Sequence, residues 1–319
     1  MPKLAKIPLI ASLLSLLAAS AAAQNLEPRA YANTPVGMNF AIVGYGYVHG
    51  SVDSSGSLPL KNANVQVNGA ILAYARSIDF FGQSGKIDVV LPYAWASGSA
   101  DFQNHLESRN VGGLGDAQMR VSVNFLGAPA LDLDHFQSYR QDWILGGSLQ
   151  VTAPIGQYDS DKLLNISSHR WTFKPELGVS KSFEPLILEA SIAGSFYTDN
   201  HDFFNFANPT LPSPQNDFVQ KHTRAENPVG SAQLHAIYAF RSGIWGSLDF
   251  TYYAGGLNLI DGHSTQDLQN NTRVGGTIAI PVNRYNSIKL YGSTGVTARA
   301  GGRFDSIGAA WQVRWGGGL

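Results

Sequence analysis

Several groups of residues in this chain have the types that could do chemistry. Asn165, Ser167, Ser168 and His169 stand together in one stretch. A hydroxyl activated by a neighbouring histidine, itself oriented by a polar partner, can attack an ester. Here no second segment supplies a fitting partner, so the stretch reads as a polar loop and no catalytic residue is expected. Asp132, Asp134 and His135, and again Asp199, His201 and Asp202, offer donors to a cation such as calcium. Acidic residues on loops are ordinarily just solvated, and neither a metal nor a cofactor is expected. Gly113-x-Gly115 and Gly275-Gly276 lack the strand-to-helix setting and the following Gly-Lys-Ser/Thr of a phosphate loop. There are no cysteines, which removes thiolate metal sites, cysteine nucleophiles and disulfides. What remains is a set of polar and charged residues spread along the chain, and their positions depend on the elements that carry them.

Those elements are strands. Alternate side chains of a β-strand face opposite sides. From Asp116 to Phe125, Ala117, Met119, Val121, Val123 and Phe125 alternate with Asp116, Gln118, Arg120, Ser122 and Asn124. From Asp305 to Trp315, Ile307, Ala309, Trp311, Val313 and Trp315 alternate with small and polar residues. About twelve such segments begin near Met38, Ala63, Lys86, Gly115, Tyr139, Arg170, Pro185, Val229, Gly243, Thr272, Asn286 and Arg303. Each can supply the roughly 9–11 residues of a membrane-spanning strand.

The breaks between segments alternate in length. Short turns fall at Gly82-Gln83-Ser84, Ser182–Pro185, Arg241-Ser242-Gly243 and Asn283-Arg284-Tyr285. Longer polar stretches fall at Asp53–Asn62, Ser97–Gly113, Gly156–Ser168, Asp199–Glu226 and Asn258–Asn271. Two breaks depart from the pattern: Gly127–Ser138 is long where a short turn is due, and Gly301-Gly302 is tight where a long loop is due. Aromatic residues such as Tyr93, Trp95, Trp143, Trp171, Trp245, Trp311 and Trp315 sit mostly near segment ends on the apolar face, where barrel girdles lie. Pro92, Pro175 and Pro228 each remove a ladder donor and predict bulges.

Charged residues make up only 14% of the 319, and no run after residue 24 is apolar enough for a spanning helix. Lys3, Lys6 and the apolar stretch Ile7–Ala22, ending in Ala21-Ala22-Ala23, read as a secretory signal over residues 1–23 with Gln24 as the mature N-terminus. Removing it leaves 20 basic and 23 acidic residues, a balance that argues against nucleic acid as a partner.

Several runs resemble one family. They are Val111-Gly112-Gly113-Leu114-Gly115-Asp116, Thr152–Asp159, Arg170-Trp171-Thr172-Phe173-Lys174-Pro175-Glu176, Asn271–Gly276 and Ile307–Trp315. Together they are similar to the phenol-degradation meta-pathway family of outer-membrane transporter-like barrels. The resemblance implies a membrane barrel associated with the catabolism of aromatic compounds. One departure is that Gly316-Gly317-Gly318-Leu319 follows Trp315 where such chains tend to end on an aromatic residue.

The expectation is an all-β protein, with residues 24–319 forming an antiparallel transmembrane β-barrel of about twelve strands. Short turns would face the periplasm and long loops the outside of a Gram-negative outer membrane. A charge facing hydrocarbon costs ~2–4 kcal/mol at the midplane, so the polar strand face is assigned to the lumen. Arg120, Gln150, Lys174, Glu176, Glu189, His235, Asp249, Lys289 and Arg314 would line it. The partners implied are outer-membrane lipids and small-molecule solutes. The function expected is passive passage of small molecules, aromatic or hydrophobic ones included. Two other readings stand beside it: an outer-membrane enzyme acting on lipid, and a closed structural or adhesive barrel. The oligomeric state is left open.

Overall fold

The computed structural model of the chain describes residues 27–53, 60–102, 105–160, 162, 164–204, 221–265, 267–298 and 301–319. The signal read over residues 1–23 and the cleavage point before Gln24 lie outside them.

The strands are β1 (Met38–Asp53), β2 (Leu60–Phe80), β3 (Gln83–Phe102), β4 (His105–Leu114), β5 (Ala117–Leu126), β6 (Trp143–Ala153), β7 (Thr172–Phe183), β8 (Leu186–Tyr197), β9 (Asn200–Phe204), β10 (Lys221–Glu226), β11 (Val229–Ala239), β12 (Trp245–Gly255), β13 (Asn258–Ile260), β14 (His263–Ser264), β15 (Gln269–Pro281), β16 (Asn286–Ala298) and β17 (Gly301–Gly316). Antiparallel pairing runs β2-β1-β17-β16-β15-β12-β11-β8-β7-β6-β5-β3, and β2 pairs with β3 to close the ring. β4 and β5 share one place in the wall, because β3 pairs with β5 along Gly85–Val90 and with β4 along Tyr93–Phe102. The described residues thus form a closed twelve-stranded barrel. Closure matters because hydrocarbon offers no partner to a backbone N–H or C=O, and a closed sheet has no free edge there. Each of the twelve segments predicted from periodicity corresponds to one strand of this wall.

Parity holds along the wall. On β12, Leu248 is 75% exposed and faces outward while its neighbour Asp249 is 3% exposed and faces the lumen. On β5, Met119 and Phe125 are exposed while Ser122 and Asn124 are buried. One aromatic breaks the expected assignment. Trp245 shares the parity of the buried Ser247 and Asp249, so it belongs to the lumen side and not to the outer girdle.

The stretch Ser97–Gly113, read as a loop, is instead the hairpin of β3 and β4. Its alternation is faint because small residues carry it: Ala96, Gly98 and Ala100 face in, and Ser97, Ser99 and Asp101 face out. On β2 the same outward row passes from Asn64 and Gln66 to Leu72 and Tyr74. The outer surface is therefore polar where the hairpin stands clear of the membrane and apolar where it meets lipid. A bulge appears at one of the three prolines: opposite Pro92 the pairing of β3 slips by one residue between Tyr93↔Leu114 on β4 and Val90↔Gln118 on β5, whereas Pro228 lies between β10 and β11. Pairing through Pro92 keeps register with β2, and pairing of β7 with β8 is in the same register on either side of Pro175. Pro92 faces the break between β4 and β5, where its carbonyl accepts the Gly115 N–H at 2.8 Å.

Strands β9, β10, β13 and β14 form a separate small sheet at the long-loop end, in the order β14-β13-β10-β9. It is anchored by the buried Glu226, which pairs with Arg170 and, at 3.3 Å, with Arg224. The long connection after β5 contains a short helix, α1 (Leu133–Phe136).

Because the cost of a charge in lipid depends on depth, Leu248→Arg should destabilise the barrel by ~2–4 kcal/mol, whereas Asn64→Arg, on the outward row above the apolar band, should cost ~0–1. Unfolding of the two variants by denaturant in lipid vesicles measures both.

Candidate functional site

The lumen is not empty. Residues 27–37 precede β1 and run from its periplasmic end up into the barrel, where they meet the charged side chains of the wall. Arg120 of β5 pairs with Glu27 of this segment, and its Nε lies 3.1 Å from Asp88 of β3. Lys86 donates from Nζ to the Ala30 carbonyl oxygen. The Arg29 N–H donates to Glu189 at 2.7 Å, and the Arg29 guanidinium lies 5.5 Å from the Trp245 ring centre. The Tyr31 hydroxyl donates to Glu176 at 2.9 Å, and Asn124 donates to the Tyr31 carbonyl at 3.1 Å. A buried charge left alone is costly, whereas a paired and hydrogen-bonded one is tolerated. The segment supplies those partners and is thereby held as a plug.

The connection after β5 holds the base of the plug. Asn33 donates to the Pro129 carbonyl at 3.1 Å, and the Val36 N–H donates to the Leu131 carbonyl at 2.8 Å. This gives a physical reason for the one periplasmic connection that is longer than a turn. Within it, Asp132 caps α1, accepting the His135 N–H at 2.9 Å and lying 2.7 Å from His135 Nδ1. The His135 backbone N–H holds the Asp132 carboxyl below the usual carboxylate range. Asp132 and His135 are thus used locally, and among the described residues no three potential ligands gather into a metal site.

Most of the residues assigned to the lumen converge here. A narrow gap between plug and wall is lined by Glu27, Tyr31, Arg120, Lys174, Glu176, Glu189, Gln233 and His235, among others. Lys174 and Glu176 lie 3.5 Å apart. His235 Nδ1 is 2.7 Å from Asp249, whose other oxygen accepts from Ser247 at 3.0 Å. Register sets Glu189 directly across from His235, and His235 across from Asp249. Gln150 lies across from Arg120 and makes a weak contact with Gln118 at 3.4 Å. Lys289 has lumen parity on β16, across from Ala310. Arg314 lies apart from the cluster, at the periplasmic rim, where it donates to the Arg284 carbonyl at 2.7 Å.

The opposite wall differs in chemistry. Inward positions of β2 are Ala63, Val65, Val67, Gly69, Ile71 and Ala73, and those of β3 include Val90, Pro92, Ala94 and Ala96. Its outer part carries an apolar cluster with Leu164 and Ile166, which belong to the loop after β6 folded inward onto the wall. That loop is fastened where β4 and β5 break. Asp116 accepts from the Gly156 N–H at 3.1 Å and the Ser168 N–H at 3.0 Å, and the Gln157 N–H donates to the Leu114 carbonyl at 2.7 Å. Asn165, buried, accepts the Asp159 N–H at 2.9 Å and donates to the carbonyls of Asp159 and Lys162. Ser167 is buried, and its Oγ accepts the His169 backbone N–H at 2.9 Å. The His169 ring stacks on Tyr158, with centroids 4.3 Å apart. The serine-histidine stretch is therefore a loop fastener. Its inward turn differs from the polar loop expected of this stretch, and Leu164 and Ile166, apolar residues that a solvated loop does not need, are its one sign in the sequence.

Residues 49–313 match the profile of a family described as "Putative MetA-pathway of phenol degradation". Among solved structures, an outer membrane channel from Pseudomonas putida F1 is similar at 20% identity and TM-score 0.71, over 91% of this chain and 100% of that one. The transport unit of an Escherichia coli autotransporter is similar at 9% identity and TM-score 0.54, over 93% and 96%. The β domain of a Bordetella autotransporter is similar at 13% identity and TM-score 0.50, over 88% and 100%. At these identities the likeness is one of fold. No curated protein matches the sequence significantly.

Arg120 joins plug to wall, so Arg120→Ala should leave Glu27 and Asp88 without their cation. Breaking a buried pair by removing one partner costs ~3–5 kcal/mol. The expected outcome in planar bilayers is a larger or more frequently open conductance than wild type, with Arg120→Lys intermediate.

Proposed function

The chain belongs to this phenol-degradation family, and from that premise we propose that it is an outer-membrane channel for passive uptake of small molecules, aromatic and hydrophobic compounds among them. The observation that carries the reading is the two-sided lumen. A charged, hydrogen-bonding surface that runs from Lys86 and Asp88 at the start of β3 through β5 to β16 faces apolar side chains of β2 and of β3 beyond Val90. A solute with an apolar ring and a polar substituent finds a surface for each part, as ligand sites generally provide. Selectivity then comes from lining and width. Arg120, Gln150, Lys174, Glu176, Glu189, His235, Asp249 and Lys289 are the lining residues of this proposal, and Arg314 guards the periplasmic rim.

Passage requires no catalytic residue, and the protein is read here as a channel and not as an enzyme. The lipid-hydrolase alternative loses its support because Ser167 Oγ is engaged by a backbone N–H in a loop that it stabilises. The closed-barrel alternative gains support from the plug and the inward loop. Both readings agree on the closed state, and they differ on whether the plug moves. Export by a cleaved signal, residence in a Gram-negative outer membrane and contact with its lipids complete the proposal. The signal-like N-terminus and the outward apolar band support it.

The apolar wall is tested by making it polar without changing its volume much. Val67→Thr with Ala94→Ser should lower the flux of toluene or phenol into protein-loaded liposomes several-fold while leaving small-ion conductance near wild type. Equal losses of both fluxes, or of neither, would count against a separate apolar track.

A further inference from the structure

We propose that the slot holding Tyr31 is a binding site for a small phenol, which the plug's own tyrosine occupies in the closed state. The proposal rests on the channel reading above and names the solute class that opens the channel.

The tyrosine side chain is itself a 4-alkyl phenol, and here it is buried. Its ring lies against Gly146 of β6 and Gly178 of β7, which the strand register places directly opposite one another. A β-carbon on either glycine would run into the ring, so the slot exists only because both positions lack side chains. Ile144 and Ala128, both fully buried, pack against the same ring. At its far end the Tyr31 hydroxyl donates to Glu176 Oε1 at 2.9 Å, and Lys174 lies 3.5 Å from the other carboxylate oxygen. The site thus combines an apolar seat over two glycines with one acceptor where a ring hydroxyl ends.

Such a site has a stated preference. A planar ring lies over two glycines that stand side by side on the wall and fills the space their missing side chains leave. The Glu176 acceptor rewards a hydroxyl donor and leaves a plain hydrocarbon, or an aromatic carboxylate that has no donor, without the hydrogen bond. The slot is also reachable. The gap between plug and wall borders both Tyr31 and Glu176, so the acceptor that Tyr31 uses opens onto the lumen once the tyrosine swings out. Once Tyr31 is displaced, the plug keeps the Glu27–Arg120 pair and the Lys86 contact but loses its aromatic anchor. Occupancy by solute and release of the plug are then linked, because the ligand binds only the state in which Tyr31 has left.

The test uses purified full-length protein and 4-methylphenol as probe, with toluene and benzoate as controls. A tethered competitor acts at an effective concentration of order millimolar, so by calorimetry Tyr31→Ala should bind 4-methylphenol about tenfold or more tighter than wild type. Tyr31→Phe keeps the ring and loses the hydroxyl bond, so its affinity should fall between the two. Toluene and benzoate should bind far more weakly than 4-methylphenol, and Gly178→Ala should bind none of the three. In planar bilayers, 4-methylphenol should raise the open probability of wild type, and Tyr31→Ala should be open without it. Heat-modifiable migration on gels confirms that each variant is folded, and Tyr31→Phe carries the comparison should Tyr31→Ala fail to fold. Equal binding by wild type and both Tyr31 variants, or binding of toluene or benzoate as tight as that of 4-methylphenol, overturns the proposal. Slot binding in a protein that never conducts would reject the channel reading and keep the site, whereas conduction released by Tyr31→Ala with no phenol binding would reject the site alone.

Discussion

A membrane interior offers no partner to a backbone amide or to a charge, and this shortage organises the whole molecule. It forces the sheet to close, so that the wall β2-β1-β17 through β5-β3 returns to β2 with no free edge in the hydrocarbon. It forces outward positions such as Leu248 to be apolar. It also sends the ionisable side chains of the strands inward, where they are crowded and must find each other. Arg120 with Asp88, Lys174 with Glu176, and His235 with Asp249 are the result.

The plug follows from the same shortage. The wall alone leaves Arg120, Lys86, Glu176 and Glu189 with unmet hydrogen-bonding capacity in a confined space. The residues before β1 meet it with one carboxylate, one carbonyl, one phenol and one N–H. Apart from the small apolar cluster of Tyr31 with Ile144 and Ala128, the plug is held by polar contacts. A polar solute can replace these one by one, which suits a closure that must be reversible. The inward loop at the other end works differently, burying Leu164 and Ile166 on the apolar wall and tying its base to Asp116.

The wall was legible in the sequence because period-two contrast is strong where one face meets lipid. Each strand start fell within a few residues of its predicted place, and the parity of Arg120 against Val121 or Asp249 against Leu248 needed no structure. The hairpin of β3 and β4 was hidden because Ala96, Gly98 and Ala100 contrast too little with Ser97 and Ser99. Trp245 was misplaced because position near a strand end suggests a girdle, whereas its parity with Ser247 puts it inside with Arg29. The plug left no periodic signal, being short, irregular and punctuated by Pro28 and Pro35. Its one trace was indirect: a periplasmic connection, Gly127–Ser138, too long for a turn. The pairing of particular lumen charges was equally invisible, since parity gives a face and says nothing of which residue of a distant segment will reach it.

If residues 27–37 close the lumen, they must move for solutes to pass. The chain has no cysteine, so a single engineered pair can report on this alone. Ala30→Cys and Lys86→Cys place two thiols where plug and wall already touch, and a short bifunctional methanethiosulfonate joins them reversibly. Conductance and aromatic-solute flux should fall to background when the pair is joined and return on reduction, with no effect of the reagent on either single variant. Unchanged passage through the joined protein would contradict the account.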